Sequence, residues 1–436
     1  MDYQQTVKYL FNSTPVFEKV GAPAYKAGLE NSLALDQHFN HPHTHFLTIH
    51  IAGTNGKGSC SHTLAAILQA DGYKVGLYTS PHLVDFRERI RVNGQPVSEK
   101  YVVDFVEQNR DFFEPLHPSF FELTTAMAFK YFADQKVDIA VIEVGLGGRL
   151  DCTNIITPIL SIITNISFDH TQFLGHTLAK IAGEKAGIIK NGVPVIIGET
   201  VPETRIVFES KAQEMQAQDV YAEDIPAVLS SKACADGGRI YETRYFGKIK
   251  GELGGIYQDK NANTILTAAI QLLNRNIIRN ADSVSKGFAQ VCEMTGLRGR
   301  WERLRKEPLV ICDTGHNVGG WQYLGRQIAS QPCRQRRIVF GMVNDKDINT
   351  VMGMLPKDGI YYWTQPSCER AFPVSKVVET AKAHELQGRA FSSVGEAYEK
   401  ALEEAGKEDF IFVGGSSYVV ADLLKEIPFQ KASSVH

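Results

Sequence analysis

The segment from Phe46 to Ser59, FLTIHIAGTNGKGS, places one lysine in a loop of small residues between a strand-like run and a helix-like stretch. Glycines leave consecutive backbone N–H groups open to curl around phosphate oxygens, and the N-terminus of a helix adds partial positive charge. Lys57 would supply a point charge to the terminal phosphates. The loop from Gly53 to Ser59 therefore predicts a phosphate-binding site, with an ordinary structural turn as the alternative reading of any glycine-rich loop.

This loop departs from the general P-loop pattern GxxxxGK[ST]. Ile51 stands where the first glycine would be, and Gly58 stands where the serine or threonine would be. Ser59 comes one position late, so the pattern leaves its part as a magnesium ligand open.

Six further polar side chains each follow a strand-like run at its C-terminal end. They are Ser80, Glu143, His170, Asp313, Asp345 and Ser416. In open parallel sheets, ligands bind at that edge. We therefore expect these side chains to lie at the ligand-binding edge of parallel sheets.

Three of them, with one neighbour, form a donor set suited to a hard cation. Glu143, Asp169 and the Ser80 hydroxyl offer oxygen, and His170 offers one imidazole. Such a set favours Mg²⁺ with a nucleotide over structural zinc. The alternative for each residue alone, a strand-end carboxylate or a capping histidine, stays open.

Two other suggestive segments are predicted to be structural. The segment HFNHPHTH, His38 to His45, is interrupted by Pro42 and has no carboxylate or cysteine beside it in sequence, so we expect a solvated loop rather than a metal site. The basic cluster RQRR, Arg334 to Arg337, is expected to be the solvated entrance to a strand rather than a nucleic-acid patch.

Short apolar runs separated by helical patterns must position these side chains. Their lengths argue for strands in parallel sheets with crossover helices. Apolar stripes at helical spacing include Leu64 to Leu68 and Ile265 to Leu273. The strand-like runs are Leu47–Ile51, Val75–Tyr78, Val137–Ile142, Ile159–Thr164, Val193–Ile197, Leu309–Cys312, Arg337–Phe340, Ile360–Trp363 and Phe410–Val413.

The pattern changes twice along the chain. Between Thr200 and Gly255 it loosens into mixed helical and hairpin-like pieces, and the connector TGLRGRWE, Thr295 to Glu302, precedes a fresh series of strand and helix signals. We predict an α/β protein of two domains: residues 1–296, with the P-loop and a mostly parallel sheet, and residues 297–436, a smaller Rossmann-like α/β domain.

Composition narrows the classes of partner. The chain has 436 residues, 43% of them hydrophobic, and a net charge of -3, which offers no global field for nucleic acid or anionic lipid. The start, MDYQQTVKYLFN, lacks a signal-peptide pattern, and no apolar run is long enough for a membrane span. Seven cysteines without a CxxC pair suit a reducing compartment. We expect a cytoplasmic protein without nucleic-acid or membrane partners.

With these segments in place, the chain resembles the folylpolyglutamate synthase/dihydrofolate synthase family, a branch of the Mur ligase superfamily. The resemblance runs from about Lys26 to Ala421 and depends on ordered motifs. They are GTNGKGS, TSPHL followed by RERI, SFFE, EVGLGGRLDCTN, NISFDH, IAGEKAGIIK, YQDKNA, DTGHN, GMVNDKD and VGGSS.

The resemblance implies an activity, cofactors and partners. Members of the family join a pterin-linked carboxylate to the amino group of glutamate and convert ATP to ADP and phosphate. The implied cofactors are ATP, Mg²⁺ and a monovalent cation such as K⁺. The implied partners are dihydropteroate or a reduced folate, and L-glutamate; the family leans monomeric. The C-terminal domain would be the glutamate-ligase domain.

Carried over residue by residue, the resemblance also implies a site. Lys57, Lys185 and His316 would be catalytic, with Lys185 carbamylated at N6; an exposed lysine in an amphipathic helix is the alternative for Lys185. Ser80, Glu143 and His170 would bind magnesium. Nucleotide contacts would come from Gly53, Thr54, Asn55, Gly56, Lys57, Gly58, Ser59, Asn261, Arg300 and Asp313. Substrate contacts would come from Ser119, Phe120, Phe121, Glu122, Leu150, Asp151, Cys152 and Ser416.

The implied mechanism passes through an acyl phosphate, because a carboxylate itself has no adequate leaving group. Since the nucleotide contacts come from both sides of the connector, closure of the two domains is expected to assemble the site. The alternatives are a cell-wall Mur ligase, a nucleotide-gated regulatory protein without ligase activity, and a P-loop kinase. The first needs a separate N-terminal domain, for which the 52 residues before Gly53 are barely enough.

Overall fold

The strands of the computed structural model, which describes residues 1–13 and 28–427, agree closely with the apolar runs of the sequence. In the first part of the chain they are β1 Leu47–Ala52, β2 Val75–Tyr78, β3 Ile90–Val92, β4 Gln95–Pro96, β5 Ile139–Glu143, β6 Leu160–Ile163, β7 Val195–Ile197, β8 Asp219–Tyr221, β9 Val228–Ala233, β10 Arg239–Thr243 and β11 Lys248–Gly251. In the second part they are β12 Glu302–Arg305, β13 Leu309–Asp313, β14 Arg336–Phe340, β15 Gly359–Trp363, β16 Gly388–Ala390 and β17 Phe410–Gly414. The nine predicted strands are confirmed, with ends that differ by at most two residues.

The helices, like the strands, fall into a first and a second part of the chain. In the first part they are α1 Tyr3–Ser13, α2 Glu30–His38, α3 Lys57–Ala70, α4 Glu99–Phe113, α5 Phe120–Asp134, α6 Thr171–Leu174, α7 Leu178–Ala186, α8 Pro202–Glu214, α9 Gln258–Asn274, α10 Asp282–Ala289 and α11 Val291–Thr295. In the second they are α12 Val318–Ser330, α13 Ile348–Met352, α14 Val374–Ala383, α15 Val394–Glu403 and α16 Ser417–Glu426. The chain forms two units, Met1–Leu297 and Arg298–His436. Lys26 and the residues after 427 lie outside the described residues.

An eight-stranded sheet in the order β4-β3-β2-β5-β1-β6-β7-β8 forms the centre of the first unit. The six neighbouring strands β2, β5, β1, β6, β7 and β8 pair in parallel. Strands β3 and β4 are antiparallel additions at the edge next to β2. The C-terminal ends of β2, β5, β1 and β6 therefore lie side by side. This order, which brings together loops distant in sequence, is what positions the candidate site.

Helices cover both faces of this sheet. Residues of α3, α9 and α10 pack on one face, among them Leu64, Leu68 and Leu266. Residues of α2, α4 and α5 pack on the other, among them Leu35 and Phe129. Because both faces are covered, the central strands are apolar on both sides, which explains their near-continuous hydrophobic runs. The two predicted helical stripes are confirmed.

The looser segment predicted between Thr200 and Gly255 contains α8, β8 and a separate antiparallel sheet in the order β11-β10-β9. An ion pair between Arg239 and Asp259 ties this small sheet to α9, with Nε and Oδ1 at 2.6 Å. The prediction of mixed helical and hairpin-like structure is confirmed.

The second unit has a six-stranded sheet in the order β12-β13-β17-β14-β15-β16. Only β12 runs antiparallel to its neighbour; the other pairs are parallel. Helices α12 to α16 connect or follow the parallel strands. The α/β prediction for both parts of the chain is confirmed.

The prediction of a solvated RQRR segment is wrong for its last two residues. Arg336 and Arg337 are the first residues of β14 and are buried. Arg337 Nε donates to Asp409 at 3.2 Å, and its Nη1 donates to the Tyr362 hydroxyl at 2.8 Å. These partners lie far along the chain, so the sequence pattern alone showed only a basic run.

In the segment from His38 to His45, predicted to be a solvated loop, most residues are exposed, but the premise that no carboxylate accompanies the histidines is wrong. Pro42–His45 forms a 3₁₀ turn, and the buried carboxylate of Asp36 accepts from His41 Nδ1 at 2.6 Å and from His43 Nδ1 at 2.7 Å. A carboxylate does accompany the histidines, and they fix the turn to α2. No helix in the described part of the chain is long and apolar enough to cross a membrane.

Candidate active site

The loop between β1 and α3 has a backbone that only glycine adopts without strain. Gly53 has φ +148° and Gly56 has φ +87°. A Cβ on Gly53 would overlap Thr164 Oγ1, and a Cβ on Gly56 would overlap Asn261 Oδ1. Both glycines are therefore required for the loop to pass so close to its neighbours.

The segment after β6 supports this loop through hydrogen bonds. Asn165 accepts from Thr54 N through its carbonyl and from Asn55 N through Oδ1, both at 2.9 Å. Thr54 Oγ1 donates to Ser167 O at 3.1 Å. Sequence reasoning quoted NISFDH for His170 but missed Asn165 and Ser167. An asparagine directly after a predicted strand was the available signal.

Lys57 is the first residue of α3, at the end of the glycine loop. Its Nζ donates to Gly53 O at 3.1 Å and to Thr54 O at 3.3 Å. The ammonium group therefore lies over the loop, where the helix N-terminus also contributes positive potential. The loop and the lysine together can hold phosphate oxygens.

Ser59 is buried in the first turn of α3 and is linked to α9. Its Oγ accepts from Gln258 Nε2 at 3.1 Å, and Gln258 Oε1 accepts from Asn261 Nδ2 at 2.8 Å. Asn261 was predicted as a nucleotide contact, and the structure places it against Gly56. Gln258 was missed, although it lies in the quoted motif YQDKNA.

The predicted magnesium ligands lie at neighbouring strand ends. Glu143 ends β5 and is paired in register with Ile51 of β1, and its Oε2 accepts from Ser80 N at 3.2 Å. His170 follows β6 in a left-handed backbone conformation, with its amide bonded to Asp169 Oδ1 at 2.9 Å. Oxygen donors dominate this edge, as Mg²⁺ prefers.

No group of three or more His, Cys, Asp or Glu side chains in the described residues converges as a metal cage. Mg²⁺ at phosphate-transfer sites uses few protein ligands and completes its shell with water and phosphate oxygens. The donors Ser80, Glu143 and His170 fit such a site and do not fit structural zinc.

Lys185 lies near the end of α7 and is buried. Burial, and then the nearby charge of Lys57, lower the pKa of its ammonium to about 7, although the carboxylates of Asp169 and Asp151 act in the opposite direction. Because the side chain is buried, the alternative of an exposed lysine in an amphipathic helix is excluded. A substantial fraction of the amine is neutral, and so nucleophilic, near pH 7.

The SFFE segment forms the start of α5. Ser119 Oγ accepts from Glu122 N at 3.2 Å, and Glu122 Oε2 accepts from Ser119 N at 2.6 Å, which is a capping box. Phe120 is buried and stacks on Phe11, whereas the half-buried Phe121 ring lies where a side chain on Gly145 would be. Ser119 and Glu122 thus have structural partners, and Phe121 is the member of this segment that borders the following loop.

The loop from Gly145 to Cys152 packs on α7. Arg149 N donates to Glu184 O at 2.7 Å, and a side chain on Gly148 would press against the same carbonyl. Asp151 accepts from Leu146 N at 2.9 Å, and burial raises the pKa of its carboxyl group. The predicted residues Leu150, Asp151 and Cys152 are therefore in the loop that packs on the helix of Lys185.

In the second unit, Asp313 ends β13 and accepts from Trp301 N at 2.7 Å and from Gly315 N at 2.8 Å. Arg300 Nη1 donates to Thr314 Oγ1, and His316 Nδ1 donates to Thr314 O at 3.1 Å. These bonds bring Arg300, Asp313 and His316 together around one turn.

Two other strand-end residues of the second unit have different surroundings. Ser416 caps α16, where its Oγ accepts from Val419 N at 3.2 Å. Asp345 forms an ion pair with Arg370. Both follow a strand as predicted, and both have a structural partner in place.

Comparisons with known proteins match both parts of the chain. The Mur ligase middle domain matches residues 51–217, and the Mur ligase glutamate ligase domain matches residues 299–417. The dihydrofolate synthase/folylpolyglutamate synthase of Bacillus subtilis is 32% identical over 418 residues, which cover 92% of this chain and 95% of that protein. The chain belongs to the folylpolyglutamate synthase/dihydrofolate synthase family.

Solved structures of this family share the fold. Escherichia coli FolC in complex with DHPP and ADP has 29% identity and a TM-score of 0.82, with 98% of each chain covered. The bifunctional folylpolyglutamate synthase/dihydrofolate synthase of Yersinia pestis, complexed with AMPPNP and a Mn ion, has 27% identity and a TM-score of 0.80, and 98% of each chain is covered. The predicted family and the α/β fold are confirmed.

Proposed function

We propose that this protein is an ATP-dependent ligase that forms an amide bond between a pterin-linked carboxylate and L-glutamate. The acceptor is dihydropteroate, a folate that already bears glutamate, or both, as in a bifunctional enzyme. The observation that carries the proposal is the strand order β2-β5-β1-β6. It sets the Lys57 loop beside Glu143, so a triphosphate and a divalent cation can be held at one edge.

The chemistry has two steps. A carboxylate oxygen of the acceptor attacks the γ-phosphorus of ATP, the bond from that phosphorus to the bridging oxygen breaks, and ADP leaves. The glutamate amine then attacks the acyl carbon, phosphate leaves and the amine loses a proton. Lys57 and the loop amides stabilise the negative charge of the transferring phosphoryl group.

Magnesium would be held by Ser80, Glu143 and His170. It would supply positive charge that neutralises the β- and γ-phosphate oxygens. Asn261, Arg300 and Asp313 are proposed nucleotide contacts. His316 and Ser416 are proposed contacts of glutamate or of the phosphate group.

Lys185 is proposed to carry an N6-carboxylate. Its neutral amine attacks CO₂, a nitrogen–carbon bond forms and one proton is released, which converts a cation near Lys57 into an anion able to bind magnesium. The lowered pKa of Lys185 favours this reaction near pH 7. A ¹³C NMR spectrum in ¹³C-bicarbonate should show a carbamate signal that is absent from Lys185→Met; its persistence in that variant would place the modification elsewhere.

The activity test measures ADP formation with dihydropteroate and, separately, with a tetrahydrofolate bearing one glutamate. ADP should form only when acceptor, L-glutamate and Mg²⁺ are all present, and mass spectrometry should find the acceptor extended by glutamate. A phosphorylated acceptor without glutamate would identify a kinase. ATP binding without turnover would identify a regulatory protein. Light scattering should give the mass of one chain, as proposed for a monomer.

A further inference from the structure

His50 is a buried histidine in the middle of the central parallel strand. It lies in β1 between Ile142 of β5 and Ser161 of β6, and none of its surface is exposed. Its neighbours Ile49 and Ile51 belong to the apolar cluster on the other face of the sheet. A polar ring at such a position is unfavourable for folding unless its hydrogen bonds are made.

The hydrogen bond that His50 makes leads to Thr153, which directly follows the loop from Gly145 to Cys152. Its Nε2 lies 2.8 Å from Thr153 Oγ1, and Thr153 Oγ1 lies 2.5 Å from Asp151 Oδ1. Asp151 also accepts from Thr153 N at 3.0 Å through Oδ1, and from Leu146 N at 2.9 Å through Oδ2. The carboxylate thus holds both ends of the Leu146 to Thr153 segment.

The direction of these bonds follows from the number of protons. Asp151 accepts backbone amides on both oxygens, so the Thr153 hydroxyl gives its single proton to the carboxylate. Thr153 Oγ1 must then accept, and His50 must donate from Nε2. Among the described residues, His50 Nδ1 has no hydrogen-bond partner, which agrees with a neutral ring protonated only at Nε2.

We propose that His50 is a positioning residue for acceptor binding, acting through Thr153 to hold Asp151 and the loop from Gly145 to Cys152 in place. This inference rests on the proposed function and on the family resemblance, which implies that Leu150, Asp151 and Cys152 contact the substrate. The hydrogen bonds of His50 and Thr153 connect β1, the strand that leads into the glycine loop, to the loop from Gly145 to Cys152. His50 itself touches neither substrate nor nucleotide.

The kinetic test uses two matched pairs of variants: His50→Leu with His50→Gln, and Thr153→Val with Thr153→Ser. The first member of each pair removes the hydrogen bond, and the second keeps a donor or hydroxyl. Breaking this chain of hydrogen bonds, which ends at the Asp151 carboxylate, should raise the KM for dihydropteroate about tenfold, equivalent to about 1.4 kcal/mol. The KM for ATP should change less than about twofold, since the phosphate loop keeps its own hydrogen bonds. Thr153→Ser and His50→Gln should restore most of the acceptor affinity.

The double variant His50→Leu/Thr153→Val should raise the acceptor KM no more than either single variant, because both remove one connection. A long-range ¹⁵N–¹H spectrum, assigned with His50→Gln, should show His50 neutral with its proton on Nε2. The inference is overturned if the KM for dihydropteroate is unchanged. It is also overturned if the KM values for ATP and dihydropteroate rise equally and Thr153→Ser does not restore them. A proton on Nδ1 of His50 would overturn it as well. If His50→Leu does not fold, the Thr153 pair still tests it. Wild-type protein that consumes no ATP with dihydropteroate and glutamate would instead refute the proposed function.

Discussion

At the scale of single residues, the candidate site contains two lysines, Lys57 and Lys185, whose charges influence each other. Lys57 Nζ donates to two carbonyl oxygens of the glycine loop between β1 and α3. Burial lowers the pKa of the Lys185 ammonium to about 7. Two cationic side chains near each other would repel magnesium. Under the proposed function, neutralising or carboxylating Lys185 would leave Lys57 as the cation that faces the phosphates.

Lys57→Ala should lower turnover at least about 10²-fold, as the loss of a contact to transition-state charge typically does. Steady-state ADP release under saturating ATP measures it. Lys100→Ala is the matched control, because that side chain is 81% exposed and pairs with Asp104 in its own helix. Near-wild-type turnover of the Lys57 variant would remove this lysine from the mechanism.

His50 makes stability depend on pH. Burial lowers its pKa from 6.5 to about 3 in the folded protein, so between these values the unfolded chain binds the extra proton. The free energy of unfolding therefore includes the full contribution of the neutral His50 above pH 6.5, and this contribution is lost as pH falls towards 3. The loss should be about 1.4 kcal/mol for each pH unit.

Urea denaturation of wild type and His50→Gln at pH 6.5 and pH 5 tests this expectation. Wild type should lose about 2 kcal/mol more than the variant over that interval. Parallel curves for the two proteins would contradict the buried neutral imidazole.

At the scale of elements, the unit of β1, the glycine loop and α3 depends on Gly53 and Gly56, because they let the loop pass close to Thr164 and Asn261. Gly56→Ala should weaken binding of a non-hydrolysable ATP analogue at least about tenfold, since a methyl group would displace Asn261 or the loop itself. Calorimetry measures the affinity. Gly247→Ala is the control: it has φ +64° but nothing within 4 Å of its Cβ position.

Both glycine variants place a side chain on a residue with positive φ, which costs roughly 1–2 kcal/mol. Only Gly56→Ala should change the nucleotide affinity. Equal affinities in the two variants would mean that the loop accommodates a side chain at position 56 without weakening nucleotide binding, and that the close contact with Asn261 is not required.

The first turn of α5 allows a second test at this scale. Ser119→Ala and Ser98→Ala each remove an N-cap, of α5 and α4, whose Oγ accepts a backbone amide at 3.2 Å. Each should lower the free energy of unfolding by about 1 kcal/mol. Only Ser119→Ala should also raise the KM for the acceptor, because α5 carries Phe121 beside Gly145. An unchanged KM would leave Ser119 with a capping role alone.

At the scale of the whole molecule, ligands should stabilise the protein through linkage. An ATP analogue at 100 times its Kd should add about 2.7 kcal/mol to the folded state, seen as a higher Tm in thermal unfolding with Mg²⁺. EDTA should abolish most of that gain. In Glu143→Gln the gain should be smaller and insensitive to EDTA; a full, EDTA-sensitive gain would exclude Glu143 as a metal ligand.

Much of this protein was predictable because its signals are local. A glycine loop with one lysine between a strand and a helix, and polar residues directly after apolar runs, depend on consecutive residues and on the common direction of parallel strands. The nine strands and the α/β class followed from them, whereas the family followed from the resemblance of the ordered motifs. The assignment of single residues to ligands went no further than resemblance, since ligand contacts are not local.

The tertiary structure decided which segments meet. The sequence does not contain the order β2-β5-β1-β6, and it gives no sign that Arg337 finds Asp409 or that His41 and His43 find Asp36. The pairs Gln258–Ser59 and His50–Thr153 are separated by 199 and 103 positions. A hydrogen bond forms wherever folding brings a donor to an acceptor, and that proximity is set by strand order and packing rather than by spacing along the chain.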